Sequence, residues 1–259
     1  MNRGASIAWR AVGAVFVVFL LSPLALVVLF SFTSRAQSAF PIEGLSLKWY
    51  GEMFADANFA PAFWNSVVIS GTVGLLSAIV GTMAAMGLAR LEPVRAYLVT
   101  VLICLPLMLP PLVLAVALLS FYSKAYVIPM GRQTVILSHL LAFLPFVVLV
   151  VFARLRNFDY RVVESARDLG ASPLRAFFTV TLPIIRPTVI GAALIAMAFS
   201  LDDFIITYFT IGKGMTLPTF VFNMIRSALT PKANAVGTLI LLMTVGTTQI
   251  ALWLTRYRG

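Results

Sequence analysis

The strongest constraint in this sequence is the length of its apolar runs. Between Ile7 and Phe32 the only ionisable residue is Arg10. A run of about 20 such residues is long enough to cross a hydrocarbon layer as a helix, whereas the strands of a membrane barrel alternate over roughly 10 residues. Six runs of this kind occur, at about 7–32, 62–89, 96–122, 134–153, 184–211 and 233–255. The expected fold class is an all-α membrane protein: six transmembrane helices in a single domain, 1–259. Charged residues make up only 11% of the chain, against about 25% in soluble domains, which excludes a soluble enzyme and a disordered chain. The first run exceeds the 7–15 apolar residues of a signal peptide, so it reads as a retained helix, bent at Pro23.

The formal charge of +10 would suggest nucleic acid in a soluble protein, but here Lys and Arg flank the spans and report topology instead. With the N-terminus inside, Arg3, Arg10, Arg90, Arg95, Arg154, Arg156, Arg161, Arg167, Arg175, Arg186, Arg256 and Arg258 fall on the inner side. Arg35, Lys48, Lys124, Arg132, Lys213, Arg226 and Lys232 fall outside. That asymmetry places both termini in the cytoplasm. The single Cys104 and single His139 cannot form a disulfide or a Cys-based metal site. Cys104 reads as a small buried hydrophobe.

One segment is out of keeping with the rest. "RNFDYRVVESARDLGASPLRAFFTVTLP", 156–183, concentrates Arg156, Asp159, Arg161, Glu164, Arg167, Asp168 and Arg175 between the fourth and fifth spans. Phe158, Val162, Val163, Ala166 and Leu169 recur near helical spacing, which predicts a short amphipathic helix. Gly170 suits its C-terminus. Ser172 and Pro173 suit the cap and first turn of a second helix, which runs from Leu174 to Thr181. A solvated loop or a helix on anionic lipid would show the same periodicity. The order of residues is more specific. Glu164-Ser165-Ala166, three residues, Gly170, nine residues, Val180, one residue and Leu182-Pro183 resembles the EAA loop of importer-type ATP-binding-cassette permeases. Ser165 and Val180 are the departures from that pattern. The resemblance implies a cytoplasmic helix-turn-helix that docks on an ATPase subunit through Glu164, Ser165, Ala166, Arg167, Asp168, Gly170 and Ala171. The chain has no phosphate-binding G-x-x-x-x-G-K-[ST] loop of its own. The expectation is therefore no catalytic residue and no cofactor here, with ATP and Mg on the partner.

The second chemical feature is "SLDDF", 200–204. Asp202 and Asp203 lie inside the fifth apolar run, about 13 Å from its outer end at 1.5 Å per residue. A carboxylate costs about 2.5–3.5 kcal/mol within a membrane helix, so the pair should face a cavity or a partner. Either His139 and backbone donors hold it at a kink, or it forms a cation site. Phe204 and Tyr208 supply rings suited to an organic ammonium. "SLDDFIITYFTIGKGMTLPTFVFNMIRSALTPKANAVGTLIL", "LSLKWYGEMF" and "LPFVVLVVFARLRNFD" are similar to the spermidine/putrescine permease subfamily. That resemblance implies a bacterial inner-membrane permease working by alternating access. Its partners would be a second permease, two ATPase subunits and an extracytoplasmic binding protein. Related permeases carry aminoethylphosphonate, opines or ferric iron. A proton-coupled transporter using Asp202, Asp203 and His139 as a relay, or an inert membrane scaffold, are the other classes.

Smaller features complete the reading. Pro106, Pro110 and Pro111 break the third span, as a fixed kink or a gate. Trp64 anchors an interface, and Asn65 either packs or faces the pathway. Gly71, Gly74, Gly81 and Gly87, with Ser70 and Ser77, form a small-residue face for close helix packing.

Overall fold

A computed structural model describes residues 3–125, 128–227 and 230–256. Arg258, and Tyr126 and Val127 of the third connection, lie outside the described residues. The helices in chain order are α1 (Arg3–Ser31), α2 (Lys48–Phe54), α3 (Phe59–Ala89), α4 (Pro93–Met108), α5 (Pro111–Ser120), α6 (Arg132–Arg156), α7 (Arg161–Asp168), α8 (Pro173–Ala176), α9 (Leu182–Asp202), α10 (Ile205–Thr210), α11 (Leu217–Ser227) and α12 (Pro231–Arg256). Single π-helical turns follow α5, at Phe121–Ala125, and α8, at Phe177–Thr181. Among the described residues, five helical stretches are long and apolar enough to cross a membrane, and the bent pair α4–α5 makes a sixth if it counts as one span.

The chain divides into two compact units. One comprises Met1–Ala60 and Phe220–Leu241. Within it, the Trp49 indole donates to the Thr33 carbonyl at 2.7 Å, and the Ser31 and Tyr50 hydroxyls pair at 2.8 Å. Lys232 at the start of α12 forms an ion pair with Asp56. The hydrogen bond from Lys232 holds the Asp56 carboxyl below its ordinary pKa. Two helices expected as loops contribute to this unit: α2, inside 33–61, and α11, inside 212–232, from Phe220 onward. Both are short and amphipathic, and so carry no spanning signal.

The other unit comprises Pro61–Thr219 and Leu242–Gly259. Its centre is the α6–α9 pair. Val147, Val148, Val151 and Leu155 of α6 are buried against Ile185, Val189, Ala192 and Ala196 of α9, with Ala85 and Leu88 of α3. Lipid is as apolar as these side chains, so close packing holds the helices rather than water exclusion. Small residues allow the approach. A Cβ on Gly74 would sit 3.1 Å from the Met197 Cβ, and one on Gly81 would sit 3.0 Å from Val147 Cγ1. At Gly71 and Gly87 nothing lies within 4 Å, so only half of the expected small-residue face is used. Overpacking costs about 1–3 kcal/mol. Gly81→Leu is therefore expected to lower the thermal stability of the detergent-purified protein, and Gly87→Ala to leave it unchanged, as read by a melting curve.

Two expected spans are broken. The third bends by 92° between α4 and α5. Leu109 and Pro110, each preceding a proline, are extended, with ψ of 139° and 132°. A proline's Cδ disfavours helical backbone in the residue before it, so two consecutive prolines disrupt more than a turn. The fifth, expected as one helix over 184–211, stops at Asp202. Asp203 is extended, with ψ of 120°, and the short α10 follows.

Candidate functional site

The 156–183 segment forms the expected helix-turn-helix. Asp159 Oδ1 accepts the Arg161 amide at 3.1 Å and opens α7. Gly170 has φ of +90°. Its amide donates to the Arg167 carbonyl at 2.9 Å, and the Ala171 amide donates to the Ala166 carbonyl at 3.1 Å. These two bonds are the Schellman closure, which requires a left-handed residue at the position Gly170 holds. Ser172 Oγ then accepts the Arg175 amide at 3.3 Å and caps α8.

The chain stays helical from Pro173 through the π turn to Asp202, so the second helix of this segment is the beginning of the fifth span. Glu164, Ser165, Arg167, Asp168 and Gly170 are exposed, and Ala166 and Ala171 half-buried. Of the apolar residues at helical spacing, Phe158, Val163 and Ala166 are half-buried, while Val162 is 46% and Leu169 90% exposed. Helical spacing alone does not separate the exposed Leu169 from its half-buried neighbours. A cleft of about 440 Å³ lies against α7 and α8, lined in part by Arg90, Tyr160, Glu164, Arg167 and Phe177. Burial raises the Tyr160 phenol pKa, and Arg90 opposes that.

The two aspartates are not equivalent. Asp203 Oδ2 accepts the Thr207 amide at 2.9 Å and the Thr207 hydroxyl at 3.2 Å. His139 Nε2 lies 3.2 Å from the same oxygen and 3.0 Å from the Thr207 hydroxyl. His139 Nδ1 pairs with the Ser200 hydroxyl at 2.7 Å. With a ring proton on Nε2 given to Asp203, and the Ser200 hydroxyl proton given to Nδ1, both ring nitrogens are satisfied. The Asp203 side chain is 11% exposed and that of His139 1%.

Asp202, one residue earlier, is exposed, and among the described residues no side chain forms an ion pair or hydrogen bond with it. Asp202 ends α9 and Asp203 has a helical φ of −68°, so the two carboxylates part by about one 100° helical step, and the chain turns extended only after the Asp203 Cα. Phe204 and Tyr208 lie with ring centroids 5.4 Å apart, and Tyr208 is 41% exposed. No sequence pattern singles out Ser200 as a partner of His139. The spacing of Thr207 four residues after Asp203 was the available signal.

Asn65 belongs to a different network. It is buried, accepts from Arg132 Nε at 2.6 Å and donates to the Met215 carbonyl at 2.7 Å. Its role is packing the α3–α6 junction, and Trp64 beside it is 60% exposed.

Residues 77–257 match the family of binding-protein-dependent transport system inner membrane components. The chain belongs to this family. It is a permease subunit of the ATP-binding-cassette importer type, seated in the inner membrane. It is 36% identical over 234 residues to the putrescine transport system permease protein PotI of Escherichia coli K12, covering 86% of this chain and 82% of that one. It is 30% identical to the spermidine/putrescine permease PotC of Haemophilus influenzae, covering 93% and 94%. Among solved structures, a bacterial alginate transporter in complex with its alginate-bound periplasmic protein superposes with a TM-score of 0.75. The identity is 16%, covering 98% of the permease subunit described here and 94% of that chain. The inward-facing methionine transporter MetNI gives 0.60 at 18%, covering 76% and 96%. These two likenesses establish the fold.

Proposed function

We propose that this permease subunit forms half of a transmembrane pathway for a polyamine, driven by ATP hydrolysis on a partner. The observation that carries the cargo is the 36% identity to a putrescine permease over 86% of the chain. The exposed Asp202 and the Phe204–Tyr208 ring pair agree with it: a carboxylate and aromatic faces are what an organic diammonium needs.

In this reading α7 and its Schellman turn dock on the ATPase. Leu169 enters the partner's groove, and Glu164, Arg167 and Asp168 set the register. That orientation puts both termini and the 156–183 segment in the cytoplasm, and the α10 end of the fifth span on the outer side. Two ATPase subunits with bound Mg-ATP, a second permease and an extracytoplasmic binding protein complete the assembly. ATP closes the ATPase pair, the docked 164–171 helices move with it, the spans rearrange to open alternately toward each side, and cargo passes from the binding protein along the fifth span.

Reconstitution with these partners in proteoliposomes tests the whole proposal. Labelled putrescine should accumulate with enclosed ATP and not without it. Accumulation driven by a pH gradient in the absence of the ATPase would overturn the reading. So would ATP-driven transport of an anion with none of putrescine or spermidine.

A further inference from the structure

The pairing around Asp203 separates two residues that the sequence presents as one feature. Asp203 holds three positions of the fold at once. Through Thr207 it caps the start of α10, whose first amides have no helical partner of their own. Through His139 it is tied to α6, seven residues, about 10 Å, after Arg132. Through His139 and Ser200 it is tied back to the last turn of α9. The aromatic wall is continuous with this tie: His139 stacks edge-on against Phe143 at 5.3 Å, and Phe143 and Phe146 meet Phe199 at 6.0 and 5.6 Å.

A side chain with three donors on one oxygen has little to offer a passing cation. To release that oxygen, the site would leave a buried imidazole and a helix terminus unpaired, at about 1–3 kcal/mol for each group. Asp202 has no such commitments. The extended backbone that follows the Asp203 Cα ends α9, and the bonds to Thr207 and His139 hold that break in place.

We propose that the pair divides its labour: Asp203 is a positioning residue that locks the α9–α10 break to His139 of α6, and Asp202 alone meets the cargo's charge. The role of Asp202 rests on the polyamine reading above. The role of Asp203 rests on the geometry alone.

Two measurements test this, one on the detergent-purified complex and one on the complete reconstituted assembly. The first needs no cargo. In the detergent-purified complex, Asp203→Ala and His139→Leu should each lower the melting temperature. The double variant should melt no lower than the worse single one, because both break one connection. Asp203→Asn, which keeps an acceptor oxygen, should melt near the parent. Additive losses, or an unchanged Asp203→Ala, would remove the tie.

The second reads putrescine uptake. Asp203→Asn should keep KM within about twofold, while Asp203→Ala and His139→Leu should lower the maximal rate about tenfold with KM little changed, the signature of lost positioning rather than lost binding. A KM raised as much by Asp203→Asn as by Asp203→Ala would make Asp203 itself a cation contact and overturn the division. If the parent assembly moves no polyamine, the cargo reading fails and the melting cycle still decides the tie.

Discussion

Gly170→Val is expected to reduce ATP-driven uptake at least tenfold while leaving membrane insertion and yield intact. The space around Gly170 is open: nothing lies within 4 Å of where a Cβ would be. The cost comes from the backbone. At φ of +90° an L-residue pays about 1–2 kcal/mol or more, and a β-branched one most. The Schellman bonds to Arg167 and Ala166 depend on that conformation, so the turn would rebuild and α7 would leave its angle to α8. Asn at this position should be tolerated best, Ala less well and Val worst. Glu164→Lys attacks the same docking surface through charge and should weaken co-purification with the ATPase. Coupled ATP hydrolysis and pull-down of the ATPase are the readouts. Normal coupling in Gly170→Val would show that the turn does not transmit force.

Asp202→Asn should raise the KM for putrescine about tenfold and leave ATPase docking unchanged. An ammonium about 4 Å from a carboxylate gains roughly 4 kcal/mol at the effective dielectric of a protein surface. Part of this is lost in stripping water from both charges, and a tenfold change asks for only about 1.4 kcal/mol. Weak binding is what a pathway needs, since cargo held tightly would not leave. Uptake kinetics at several putrescine concentrations give the answer, and an unchanged KM would move the cation site elsewhere.

The helix-turn-helix at 156–183 was legible because it is polar in an apolar chain and because Gly170, Ser172 and Pro173 each specify a backbone conformation locally. The break in the third span was legible for the same reason, through Pro110-Pro111. The break in the fifth was not. No Gly or Pro marks Asp203-Phe204, and the apolar run continues to Ile211. At the break the local Asp203–Thr207 bond joins a tertiary contact with His139, which is 64 and 68 residues away in the chain. Composition also overstated the packing face of α3, since identical glycines at 71 and 81 differ only in what lies opposite them. The helices α2 and α11 were missed because spans are found by length and these are short.

The unbroken helical path from Pro173 to Asp202 has a mechanical meaning. Its 30 residues make a rod of about 45 Å at 1.5 Å per residue. A 10° tilt about the α8 end would swing the far end by about 8 Å at that length, more than the width of a helix backbone. The π turn at Phe177–Thr181 is a soft joint near its fulcrum, and Pro187 inside α9 is a second one further along. Stiffening or loosening the π turn would change the gearing between the two ends without touching either of them.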